Sequence, residues 1–163
     1  MEYNNGLNRS ISRINAYPSF LQAWLLDKAI GNTVKYVGTS GIHFEKMTCL
    51  EVVVSLKNRR KVQNHIHQLH AAATTLLAET ATGMVVGMNI PDDKIPLMKN
   101  LSVKFIKRSQ GAQTAVASLS EEQINIIRTT EKGDVNVPVK VTDETGEEVI
   151  IAELNWAWIP KNK

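Results

Sequence analysis

The chain has a single cysteine, Cys49, so no internal disulfide can form, and with no export signal this points to a reducing compartment, the cytoplasm. No apolar run approaches the ~18 residues of a membrane span, and the polar opening from Met1 to Arg13 does not have the shape of a signal peptide. A strong excess of one charge is also missing: the net charge is +3, too mild to demand a nucleic-acid partner. The basic run Lys57-Asn58-Arg59-Arg60-Lys61 is the one local exception and reads as a solvated loop. There is no internal repeat, no linker and no sign of a second domain.

What is present is ordinary for a globular protein, 43% apolar and 21% charged over 163 residues, enough to bury one proper core. Residues 1–17 are polar and read as a frayed N-terminal segment, leaving 18–163 as a single domain. Pro18 and Ser19 open a short helix to Ile30, with Leu21, Trp24, Leu25 and Lys28 on helical spacing and Gly31-Asn32 as the stop. Strands follow from Ile42 to Met47 and from Cys49 to Leu56. A long helix from about Leu69 to Gly87 is rich in Ala, Leu and Met and almost uncharged, which predicts burial.

The second half is mostly strand. Leu101, Val103 and Phe105 alternate with polar residues, and Thr114 to Leu119 reads as the hairpin partner across Ser109-Gln110-Gly111. Ser120-Glu121-Glu122-Gln123 is a capping-box pattern opening a short helix to about Thr130. Val135, Val137, Val139 and Val141 alternate, with Pro138 requiring an edge or a bulge. Glu148 to Ile159 returns with Ile150, Ala152, Leu154, Trp156 and Trp158 on one face. One apolar helix followed by antiparallel strands predicts an α+β hotdog layout, a curved sheet wrapped around a long central helix, with a short helix before it.

Within the long helix and its approach, Asn64, His70 and Glu79 form the most telling constellation. A carboxylate on a small-residue helix is costly to bury without a task or a partner. Small residues where the helix begins let a substrate reach its free backbone N–H groups. The segment Asn64 to Leu119 resembles hotdog thioesterases of the phenylacetate-pathway type, whose motif sets an Asn six residues before a His-Gly-Gly and an acid nine after the His. Residues 99–111 are similar to that family's strand and closing loop, and the likeness spans roughly 34–159. This chain departs in carrying Ala71 and Ala72 for the two glycines and His67 where the family often has Gly; alanine keeps its N–H but adds a methyl.

The resemblance implies hydrolysis of an acyl thioester, with acyl-CoA or an acyl-carrier thioester as the bound partner and no resident cofactor. The Ala71 N–H would polarise the carbonyl as an oxyanion hole, typically worth ~3 kcal/mol of barrier. Glu79 would be general base or nucleophile, Asn64 would orient water or carbonyl, and His70 would buttress the loop. Lys107, Arg108 and Ser109 are expected at the pocket mouth for the CoA phosphates, with Arg59 and Arg60 behind them. Ala71 and Glu79 lie ~12 Å apart along one helix, too far for one subunit to assemble the site. A homodimer with two composite sites, or a dimer of such dimers, is therefore expected.

Other classes were weighed on the same residues. His65-x-His67-x-x-His70 has imidazoles at metal-site spacing but lacks an Asp at Leu69, so no metal is assigned. A non-catalytic acyl-CoA-binding hotdog protein would keep the pocket without turnover, and a 3-hydroxyacyl thioester dehydratase or hydratase would use His70 with an acid.

Overall fold

The computed structural model describes residues 3–161 and is built around helix α4, Ala71–Gly87. Alanine and leucine favour the helix, and Leu77, Ala78, Ala81, Val85 and Val86 are fully buried in it. Near its C-terminal end Gly83 lets the Trp156 ring lie against the backbone, since a Cβ there would stand 2.7 Å from Trp156 Cζ2. The Trp156 indole N–H donates to Thr82 Oγ1 at 3.0 Å, so this close helix–sheet contact is also hydrogen-bonded.

Among the described residues seven antiparallel strands run around α4: β1 His43–Met47, β2 Glu51–Leu56, β3 Lys94–Phe105, β4 Gln113–Ser118, β5 Gly133–Asn136, β6 Val139–Asp143 and β7 Ile150–Pro160. They order as β1-β2-β4-β6 and β3-β7-β5. Pro138 cannot donate to a ladder and splits the valine run, sending β5 to β7 and β6 to β4. Hydrogen bonds from Val137 N–H to Leu154 O and from Ser118 N–H to Pro138 O close the seam, so one curved surface faces the helix. This is the expected hotdog architecture. The inward face carries Ile150, Leu154, Trp156 and Trp158 as expected. Helix α5, Glu121–Thr129, has its capping box between Ser120 and Gln123.

Three expectations are corrected. The strand from Thr114 is not the hairpin partner of the one ending near Lys107: β3 runs its whole length against β7, from Lys94↔Pro160 to Phe105↔Ile150, and β4 lies between β2 and β6. Residues 106–112 therefore cross over rather than turn. Small inward Ala115 and Ala117 suit β4 to close approach by α4.

Residues 1–17 do not fray where they are described. Helix α1, Gly6–Asn15, is capped by Asn5 and buries Ile11. The Asn5 amide donates to Gly87 O at 2.9 Å and Ile90 O at 2.7 Å, and Asn8 donates to Met88 O at 2.6 Å. The polar side chains that suggested fraying satisfy the free carbonyls at the end of α4.

Helix α2 runs Ser19–Thr33, past Gly31, and is followed by α3, Lys35–Ser40. Gly31 permits this second helix to cross closely; a Cβ at Gly38 would stand 2.5 Å from Gly31 O. The buried side of α2 is Leu26 and Ile30, while Trp24 is 57% exposed. Among the described residues no helix is long and apolar enough to cross a membrane.

Candidate active site

The approach to α4 is a braced loop. After a 3-10 turn over Arg60–Val62, Asn64 Oδ1 accepts from Ile66 N–H at 3.0 Å and Gln68 N–H at 3.1 Å. His67 takes a positive φ of 59°, a region that favours glycine, and Asn58 steadies it by donating to His67 O at 3.0 Å. His70 is the N-cap of α4: its Nδ1 accepts from Ala72 N–H at 3.0 Å. The Ala71 N–H, one residue earlier, has no acceptor among the described residues and sits at the positive end of the helix dipole.

Ala71 lines a cavity of about 200 Å³ together with Asn64, Thr74, Phe105, Gln113 and Val149 and with Lys107, Arg108 and Ser109. The crossover loop is fixed beside it by Asp143, whose Oδ2 accepts from Gln110 N–H at 2.8 Å. Lys107 also pairs with Glu147 at 3.1 Å, an exposed contact of little energetic weight. Of the predicted site residues, Asn64, Ala71, Lys107, Arg108 and Ser109 thus meet at one cavity, which His70 does not line. Arg59 is spent elsewhere, donating to Ser40 O and Gly41 O at the end of α3. Gln113 was missed by sequence reading; only its place at the start of an inward-alternating strand hinted at it.

Glu79 is not among the residues lining this cavity. It lies two turns along α4 on the side that also carries Ala72, Thr75 and Leu76, none of which is fully buried. Its carboxylate has no hydrogen bond or ion pair among the described residues, and burial lifts it above the ordinary glutamate range. A larger groove of about 750 Å³ lies between α1 and the turn after β1, but no carboxylate lines it and it offers no free helix N-terminus. Among the described residues no three His, Cys, Asp or Glu side chains group to hold a metal ion.

A family model described as a domain of unknown function, DUF4442, matches residues 22–159. The chain belongs to the DUF4442 family. No curated protein matches it. Among solved structures this DUF4442 chain is similar to a Pseudomonas aeruginosa protein described as a "probable thioesterase", at 23% identity over 80% of this chain and 91% of that one, TM-score 0.72. It is similar to a Staphylococcus aureus thioesterase at 21% identity over 77% and 99%, TM-score 0.64. A Haemophilus influenzae thioesterase matches at 14% identity over 77% and 82%, TM-score 0.61. The shared feature at these identities is the hotdog fold.

Proposed function

We propose that this chain forms a homodimer whose two composite sites each hydrolyse an acyl thioester, carried on CoA or on a carrier protein. The observation carrying this reading is the separation of two unsatisfied groups on α4: a free helix-terminal N–H at a cavity, and an unpaired, desolvated carboxylate two turns away. The edge strand supports assembly. β3 pairs with β7 alone among the described residues, leaving its other edge open. Leu101 and Phe105 stand opposite the buried Leu154 and Ile150, on the helix side of the sheet, yet are 39% and 49% exposed. A second copy across a twofold axis would cover them and bring its own α4 alongside.

In such a dimer the thioester carbonyl accepts from Ala71 N–H while the partner subunit's Glu79 takes a proton from water. The water oxygen adds to the carbonyl carbon, and the tetrahedral oxyanion is held by the Ala71 N–H. Collapse breaks the C–S bond, and Glu79 returns the proton to the leaving thiolate. Lys107, Arg108 and Ser109 would meet the phosphates of the carrier arm. The engagement of His70 Nδ1 with Ala72 N–H suits a capping role and weighs against hydration chemistry through that ring.

Two solved structures of the one Staphylococcus aureus protein carry, respectively, a glutamine-to-alanine and a glutamate-to-alanine substitution at positions fifteen residues apart. Asn64 and Glu79 have the same separation, which adds support for a paired role.

The test is complementation. Ala71→Pro removes the N–H at the helix position where proline is tolerated, and Glu79→Gln removes the base. Each variant alone should release little free thiol from a panel of acyl-CoAs. Refolded as an equal mixture they should recover about a quarter of wild-type activity, because half the dimers then hold one intact site of two. Wild-type rates for Glu79→Gln alone, or no recovery on mixing, would overturn the composite site.

A further inference from the structure

Gln113, the first residue of β4, takes no part in the chemistry above, yet it is 2% exposed and lines the cavity beside Ala71 and Thr74. Its side-chain oxygen is buried and has no hydrogen-bond partner among the described residues. The residues paired with it across the sheet do not serve it. Its strand neighbours are Leu56, fully buried and apolar, and Asp143, whose carboxylate accepts from Gln110 and Thr145 and has no proton to give. A buried acceptor left empty costs free energy that any apolar side chain of similar size would avoid.

Resting on the thioesterase reading, we propose that Gln113 is a substrate-binding residue whose carbonyl oxygen accepts a hydrogen bond from an N–H or O–H donor of the bound thioester. Two sources share that chemistry. Every phosphopantetheine thioester carries an amide N–H on the arm beyond its sulfur, and some acyl groups carry a hydroxyl near the reacting carbonyl. Such a site favours ligands with the donor and rejects analogues lacking it, since without it the acceptor stays unpaired. Gln113 would be a binding and specificity residue in the cavity that Ala71 also lines, so that the thioester is held at both a donor and an acceptor.

The experiment compares wild type with Gln113→Met and Gln113→Leu, both retaining bulk without the acceptor. Melting temperature of the free protein and affinity for a non-hydrolysable S-(3-hydroxyalkyl)-CoA thioether, which carries both donors, are measured together. The two should move in opposite directions: the melting temperature holds or rises as an orphan acceptor is removed, while the dissociation constant rises about tenfold. A merely structural role would lower the melting temperature and leave affinity alone. Unchanged affinity overturns the proposal whatever the melting temperature does, and so does a wild type that does not bind the thioether.

Hydrolysis then identifies the donor. An equal rise in KM for hexanoyl-CoA and 3-hydroxyhexanoyl-CoA, absent for the S-ethyl thioester, assigns the arm amide. A rise confined to the 3-hydroxy substrate assigns the acyl hydroxyl. Thioether binding that depends on Gln113 in a protein without hydrolytic turnover would remove the hydrolase reading and leave this one standing.

Discussion

Asp143, the last residue of β6, and Glu79, midway along α4, are both carboxylates withdrawn from water, and the fold treats them in opposite ways. Asp143 is 7% exposed and accepts from Gln110 N–H, Thr145 N–H and the Thr145 hydroxyl. Burial alone would raise its pKa, but these bonds outweigh it and hold the carboxyl below the ordinary aspartate range. Glu79 has the burial without the bonds, and its carboxyl is lifted. The first acid is part of the scaffold, spent on pinning the crossover loop to the sheet. The second keeps its proton chemistry available, which is what a general base needs.

Replacement of each acid by its amide or by alanine should therefore separate activity from stability. Glu79→Gln should lower free-thiol release by about 10² to 10⁴-fold, the usual weight of a positioned base, with the melting temperature held or raised. Thiol assay and thermal melt on the same preparation check it, and a joint fall of both would make Glu79 a second structural acid. Next in size, Leu101→Lys places a charge on the uncovered inward side of β3. It should halve the mass seen by light scattering and cut turnover about 10²-fold, because Glu79 then has no facing site. A fully active monomer would detach Glu79 from the chemistry.

Asp143→Ala should show the reverse pattern. It strands the N–H groups of Gln110 and Thr145, costing about 2–3 kcal/mol in urea unfolding. Any rise in KM should exceed the change in kcat, since Lys107, Arg108 and Ser109 ride on the loop that Asp143 anchors while the base is untouched.

The contrast also marks how far the sequence could be read. Asn64, His70 and Glu79 stood out because their spacing matches the motif of the family the sequence resembles, and the apolar run of α4 announced its burial. The Gln110 partner of Asp143 was invisible, because it depends on which strands lie together, and β3 and β4 are not neighbours. Local alternation says that a strand has an inner face but not which strand it meets. The same limit hid Gln113, whose significance lies in what surrounds it. α1 failed for another reason: its asparagines read as solvated until the carbonyls of Gly87, Met88 and Ile90 supplied their partners. In α2 the apolar spacing of Leu21, Trp24 and Leu25 was real, but Leu26 and Ile30 face the core, since nearly every side of that helix is apolar.

The smallest effect expected is on the pH dependence of stability, and it carries opposite signs for the two acids. Glu79 binds its proton more tightly in the folded than in the unfolded state. Its contribution is fully present below the unfolded value near 4.5 and is lost as pH rises through the higher folded value. Asp143 binds its proton less tightly when folded. Its contribution is present above the unfolded value near 3.8 and is lost as pH falls through the lower folded value. Urea titrations from pH 3 to pH 7 should therefore show Glu79→Gln gaining on wild type as pH rises above about 4.5, and Asp143→Asn losing less against wild type as pH drops below about 3.8. Because the two windows lie on opposite sides of pH 4, one series resolves both. A Glu79→Gln curve parallel to wild type throughout would mean that its carboxyl finds a compensating partner when the two subunits meet, and the acid would then belong with Asp143 rather than against it.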